Sequence, residues 1–406
     1  MKGKKASSLI ALCAAVYFCS YLTRQNYATV LVEIIESEGV SKAAASAAIT
    51  GMFITYGLGQ IISGYLGDRL NSCHLIAAGL AATGVLNILI PYCKSTQMIA
   101  VVWCCNGLAQ SFFWPPLVKI LTINLSEKMY QRYVAVISWS SYLATAVLYL
   151  ACPALIQHSG WRSVFYICGV VAFVMLVVWQ RGTKNIQSSM NLPADRKVHG
   201  SGAEKSDRTV ISQPIWLILV FAVAAIIMQG MIRDGMTTWL PTYISEQFHI
   251  ENSNSILYGV LAPLLSVIAL IIAEKVQDKL VHNEVACAAG SFVLAIVCCL
   301  GVRMTMAGLP RLSIILYAAV IGCAHAANLF LIAVLPGRFR NTGHVSLISG
   351  VLNCATYVGS AGSTALMAMT TEHSGWSVPI IIWAAAAFAG FVFCILILRR
   401  WPAQFK

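Results

Sequence analysis

The sequence predicts an all-α membrane protein of twelve transmembrane helices, arranged as two pseudo-symmetric six-helix bundles. Three observations predict it. Hydrophobic residues make up 58% of the 406 and charged residues only 10%, against about 25% charged in an ordinary soluble domain. So few charges cannot clothe a water-facing surface, and most of the surface must therefore face lipid. Apolar stretches of about 20 residues, the length that crosses a bilayer core as a helix, recur along the whole chain. Finally, polar landmarks of the first half return in the second at a nearly constant displacement.

Lys2, Lys4 and Lys5 precede an apolar run from Leu9, which imitates a signal peptide. No clean cleavage site follows, and eleven similar segments come after, so the run reads as an uncleaved first helix over 8–35. The other spans of the first half are 44–66, 73–92, 97–122, 132–155 and 161–180. Those of the second half are 214–244, 254–275, 284–305, 311–334, 342–368 and 376–398. Residues 181–213 are polar and carry Arg181, Lys184, Arg196, Lys197, Lys205 and Arg208. They read as a cytoplasmic linker between an N-terminal half, 1–180, and a C-terminal half, 214–406.

With the N-terminus inside, Lys42, Lys94, Arg162, Arg303 and Arg311 fall on the outer side, and Arg24, Lys119 and Arg233 lie within helices. The rest of the 27 Lys and Arg occupy the N-terminus, the even connectors, the linker and the tail. The opposite orientation inverts the positive-inside bias, so both termini are expected in the cytoplasm of a cell whose plasma membrane holds the protein. The same scatter accounts for the net charge of +12 without a nucleic-acid-binding face. Nearly all of the 14 cysteines lie inside apolar runs, with no Cys-x-x-Cys pair and no companion His. They read as small packing residues, and neither a metal site nor a cofactor is expected.

The repeat is specific. Leu22-Thr23-Arg24-Gln25-Asn26 and Met231-Ile232-Arg233-Asp234-Gly235 stand 209 positions apart. The same displacement carries Gly67-Asp68-Arg69 close to Gln277-Asp278-Lys279, and Gln131-Arg132 onto Arg340-Asn341. Gly160-Trp161 and Gly375-Trp376 open the last span of each half. Duplicated halves with a site between them suit alternating access, because rocking one against the other exposes the site to each side in turn. No Ser–His–Asp set, paired catalytic carboxylates or metal-ligand spacing occurs at membrane depth, so an enzyme is not expected.

Arg24 and Arg233 interrupt apolar segments near their middles, where an Arg costs about 2.5–3.5 kcal/mol on lenient insertion scales. A lone Arg can snorkel or form a structural ion pair. Two at matched positions instead read as a bidentate, permanently charged clamp for an anionic headgroup. Tyr17 and Tyr21 precede Arg24 by seven and three residues and share its helix face, as cavity lining or as aromatic packing. Asp234 diverges from Arg233 by about 100° on a helix. It can neutralise a neighbour, take part in proton coupling or simply sit toward the periplasmic mouth, and a structural role is the expectation. His325, near Asn328, reads first as a hydrogen-bonding partner of a neighbouring helix and second as a proton relay. Lys119 sits near the cytoplasmic end of its span, where it can snorkel and act structurally or in gating. Asp68 and Arg69 stand at the cytoplasmic end of the second span, where charge pairs can latch an outward-open state.

The stretch Gly64 to Arg69 resembles the helix 2–3 signature of the major facilitator superfamily. More narrowly, the chain resembles the organophosphate:phosphate antiporters, which exchange glycerol 3-phosphate or sugar phosphates for inorganic phosphate. The likeness lies in Tyr17-x-x-x-Tyr21-Leu22-x-Arg24-x-Asn26, Tyr56-Gly57 and Asn106-Gly107-x-x-Gln110-x-x-x-Trp114-Pro115-Pro116. It continues at Trp139 and in Arg233-x-Gly235-x-x-x-Trp239-x-Pro241-Thr242-Tyr243. The resemblance implies that Arg24 and Arg233 bind the phosphoryl group, with Tyr17, Tyr21 and Trp139 nearby. It departs at Gln25 and Gln60, where relatives often carry Lys, and at Leu143, where the glycerol-phosphate type carries His. The auxiliary positive charge is thereby thinned. The expected partners are a small organic anion, inorganic phosphate and the bilayer, with the protein working as a monomer.

Overall fold

The computed structural model describes residues 3–125, 127–187, 213–335, 338 and 345–401. Most of the expected linker 181–213 lies outside these. The described elements are helices α1 (Gly3–Thr29), α2 (Leu31–Glu38), α3 (Lys42–Arg69), α4 (Ser72–Leu89), α5 (Thr96–Gln110), α6 (Trp114–Asn124), α7 (Glu127–Ser159) and α8 (Arg162–Gln187). They continue with α9 (Gln213–Phe248), α10 (Asn252–Tyr258), α11 (Leu261–Lys279), α12 (Glu284–Thr305), α13 (Pro310–Asn328), α14 (Val345–Ser374) and α15 (Ser377–Arg399). Among the described residues there is no strand, and ten helical stretches are long and apolar enough to cross a membrane.

Fifteen helices map onto the twelve expected spans because three spans are broken. The first divides at Val30 into α1 and α2, and Gly39 ends α2 in the left-handed conformation, φ 61°, which glycine adopts without strain. The fourth divides into α5 and α6. Pro115 and Pro116 offer no N–H to the carbonyls of the preceding turn, so the helix stops at Gln110 and restarts at Trp114. The eighth divides into α10 and α11 in the same way, since Pro263 cannot donate to the carbonyl of Gly259. A wider π-turn over Leu329–Val334 follows α13. All 14 cysteines are free thiols, eleven of them buried, with Cys104 and Cys354 half-buried and Cys105 exposed.

The chain forms two compact units. One comprises Met1–Lys197 with Glu251–Val260, and the other Val198–Ile250 with Leu261–Lys406. In the first, α1 packs on α7 and α8, α3 on α5, and α4 on α8. In the second, α9 packs on α14 and α15, α11 on α13, and α12 on α15. These are the same pairs one half-chain later. The short α10 belongs to the first unit, where it packs on α7, and the Asn252 amide donates to the carboxylates of Glu33 and Glu36 on α2.

Each unit also repeats one polar staple. The indole N–H of Trp161 donates to Glu38 at 3.2 Å, and that of Trp376 to Glu246 at 2.9 Å. Both tryptophans follow a glycine with positive φ, Gly160 at 72° and Gly375 at 59°. The turn that opens the last span of each half thus needs glycine and is fastened by its tryptophan. At the other end of the second unit, the fully buried Glu284 accepts from Arg338 at 2.8 and 3.0 Å.

Candidate functional site

Arg24 is held in aromatic surroundings. Its guanidinium carbon lies 4.2 Å from the ring centroid of Tyr21 and 4.8 Å from that of Tyr56 on α3. Tyr21 meets Tyr17 edge-on at 5.1 Å, and Tyr17 packs against Trp114 of α6 at 4.9 Å. Tyr17, Tyr21 and Arg24 do share one face, and of the two readings of the tyrosines the contacts show the aromatic packing. The rings of Tyr21 and Tyr56 lie against the guanidinium, whose donors lie along its rim. Gln60 lies one turn beyond Tyr56 and is buried, and its amide nitrogen has no hydrogen-bond partner among the described residues. Gln25 is half-buried beside Arg24. Trp139 stands on α7 with 44% of its surface exposed.

Beside Arg24, a buried amide network ties its helix to two neighbours. The Asn26 amide donates to Asn87 of α4 at 2.8 Å. The amides of Asn87 and Asn106 both donate to the Thr23 carbonyl, at 3.1 and 3.0 Å. Gln110 donates to the hydroxyls of Thr23 at 2.9 Å and Thr83 at 3.0 Å, and Thr83 donates to Asn106. All six side chains are buried. Inside a membrane such groups must find partners within the protein, and here they lock α1 to α4 and α5. The sequence carried a signal for this in the i, i+4 pairs Thr83/Asn87 and Asn106/Gln110, polar residues spaced to share a face within apolar runs. Tyr56 and Trp114, recognised only as parts of motifs, emerge as the rings that complete the stack.

Arg233 has different surroundings. Its Nε and Nη2 donate to the two carboxylate oxygens of Asp234, each at 2.7 Å. The side chains are 14% and 18% exposed, so the pair is shielded from water. The expected 100° divergence of the two backbone directions does not keep them apart, because the long arginine stem folds back across the helix. Of the three readings of Asp234, the geometry favours neutralisation of a neighbour. The Ser360 hydroxyl of α14 also donates to Asp234, at 2.6 Å, and lies 2.9 Å from the Thr356 carbonyl. Close helix approach brings it there: a Cβ at Gly230 would overlap the Thr356 carbonyl, and one at Gly359 the Ile227 carbonyl.

Lys119, Asp68 and Arg69 lie elsewhere, whereas His325 stands close enough to Arg233 and Asp234 to interact with both charges. The Lys119 ammonium donates to the Gly67 carbonyl and so caps the last turn of α3, where a cation is favoured. Arg69 lies over the ring of Tyr65 at 4.0 Å. The Asp68 side chain is outside the described residues. His325 is half-buried on α13, one residue after the Ala324 carbonyl that accepts from Gln229 at 3.2 Å.

With this geometry in hand, comparison with known proteins decides the family. The profile of the Major Facilitator Superfamily matches residues 13–361. The chain belongs to that superfamily. It is similar to a probable hexose phosphate transport protein of Chlamydia pneumoniae, 23% identical over 284 residues, which are 65% of this chain and 62% of that protein. It is also similar to the membrane sensor protein UhpC of Escherichia coli K12, 24% identical over 283 residues, 66% of this chain and 64% of that protein. These matches thus span rather less than two thirds of either relative. A crystal structure of a bacterial homologue of the human lysosomal transporter Spinster superposes with a TM-score of 0.79 at 12% identity, covering 99% of this chain and 98% of the other, which shows the shared fold. Within the superfamily the chain resembles the organophosphate:phosphate antiporters, and it is not an enzyme.

Proposed function

We propose that the chain carries a small phosphorylated organic anion across the plasma membrane, in exchange for inorganic phosphate, by rocker-switch alternating access. Arg24 and Arg233 hold the anion, with Tyr17, Tyr21, Gln25, Gln60 and Trp139 contributing around it. Both termini lie in the cytoplasm and the carrier works as a monomer. The reading is carried by two arginines at matched positions of duplicated spans, each at a depth where a charge is costly unless it has a task. The hexose phosphate transport relative supports the substrate class.

Proteoliposomes loaded with phosphate test it. Labelled glycerol 3-phosphate or hexose 6-phosphate should enter much faster when phosphate is present inside than when it is absent. Absence of exchange with any phosphorylated solute would overturn the proposal, and uptake driven by a pH gradient without internal phosphate would replace exchange with proton coupling. The likeness to a membrane sensor supports a second reading, a receptor that binds a sugar phosphate without moving it. Thermal stabilisation by a phosphorylated solute combined with no flux in the same preparation selects the receptor.

A further inference from the structure

The pairing of Arg233 with Asp234 has a consequence for how the site works, and it rests on the anion-carrier reading above. An arginine that bound substrate directly would present its bidentate edge to the anion. Here the Nε–Nη2 edge is already filled by a carboxylate with both distances at 2.7 Å, which is the geometry a bound carboxylate or phosphate would adopt. The carboxylate has a second anchor in the Ser360 hydroxyl at 2.6 Å. That serine reaches the Thr356 carbonyl as well, so its single proton can follow Asp234 or return to the α14 backbone.

We propose that Asp234 is a built-in competitor, an internal anion that occupies Arg233 when the carrier is empty and that substrate must displace. Two properties follow. First, the substrate has to outbid a carboxylate already in place, so a dianionic phosphoryl group is selected over a monocarboxylate. Second, the empty carrier holds a neutral pair rather than an uncompensated buried guanidinium. A buried charge without its partner is costly to carry through a low-dielectric interior, and neutralising it lowers the barrier to return of the empty carrier. Asp234 therefore permits net transport beside exchange, and it sets the affinity lower than two arginines alone would give. Arg24 has no such carboxylate next to it in the sequence, where Gln25 stands instead.

The test uses the full-length protein and inorganic phosphate as the probe, with acetate as the monocarboxylate control. In Asp234→Asn the competitor's charge is removed while its shape is kept. Phosphate binding should tighten by about tenfold, the effect of one charge-assisted hydrogen-bonded contact, and acetate binding should gain at least as much. In proteoliposomes the ratio of phosphate exchange to net phosphate efflux should rise, because the empty variant returns slowly. Asp234→Ala supplies the same comparison if the asparagine variant does not fold. Phosphate affinity left unchanged or weakened in a folded Asp234 variant overturns the role of Asp234 alone. No response to phosphate in the wild type or in the variant overturns the anion-carrier reading with it.

Discussion

In the first half Arg24 lies against the rings of Tyr21 and Tyr56, and a neutral amide network ties its helix to two neighbours. In the second half, 209 residues later, Arg233 is gripped edge-on by Asp234 and flanked by the hydroxyl of Ser360. The scaffolds around them agree. The same helix pairs pack in each unit, and the same tryptophan–glutamate bond fastens the last span. The two halves thus repeat their helix pairing while the surroundings of the matched arginines differ. Helix packing is constrained by close approach over many residues, whereas the partner of one guanidinium can change by a single substitution. Ion pairing with Asp234 offsets the charge of Arg233, whereas the rings of Tyr21 and Tyr56 flank Arg24, so the two arginines are equivalent in position and differ in their neighbours.

The sharpest way to break that comparison is to replace each arginine by lysine, which keeps the charge and loses the planar fork. Arg24→Lys should weaken phosphate binding by about 100-fold, near the upper end for a hydrogen bond to a charged group. Arg233→Lys should cost less, about tenfold, because Asp234 already takes part of its capacity. Isothermal titration of both variants checks the order, and equal losses would erase the asymmetry. Next, Gly230→Ala should destabilise the second unit by about 1–3 kcal/mol, since its methyl meets a backbone carbonyl that cannot rotate away. Thermal unfolding in detergent reads this, and an unchanged melting temperature would show that α9 and α14 can separate.

In the first unit, Asn106→Leu should cost about 1–3 kcal/mol by stranding the Thr83 hydroxyl and losing a donor to the Thr23 carbonyl. It should also lower phosphate affinity through the displacement of Arg24, an effect a purely peripheral network would not have. The smallest effect tests the symmetry itself. Trp161→Phe and Trp376→Phe each remove one indole hydrogen bond and should cost about 1 kcal/mol apiece. A clear difference between them would mean that the staple, like the arginine site, has diverged between the halves.

Much of this was legible in the chain of letters. Span positions follow from apolar length, and the matched arginines from their displacement. The helical face of Tyr17, Tyr21 and Arg24 follows from spacing alone. The breaks at Gln110 and Gly259 were written as Pro115-Pro116 and Pro263, yet a hydropathy reading passes over them because proline interrupts hydrogen bonds without interrupting apolarity. The amide network was harder to see. Asn26, Asn87 and Asn106 stand on three different helices, and the i, i+4 pairs mark polar faces without showing which of them meet.

What the sequence by itself determined is the membrane-spanning helical architecture, its duplication and the depth of the two charges. These depend on composition and period, which are properties of local sequence. What only the tertiary structure decided is the state of each charge. Arg24 and Arg233 are the same residue at the same position of a repeat, but one meets rings brought by α3 and the other a neighbouring carboxylate held by a serine from α14. Which side chain reaches a guanidinium depends on rotamers and on how closely neighbouring helices approach. Neither has a period that a sequence can display.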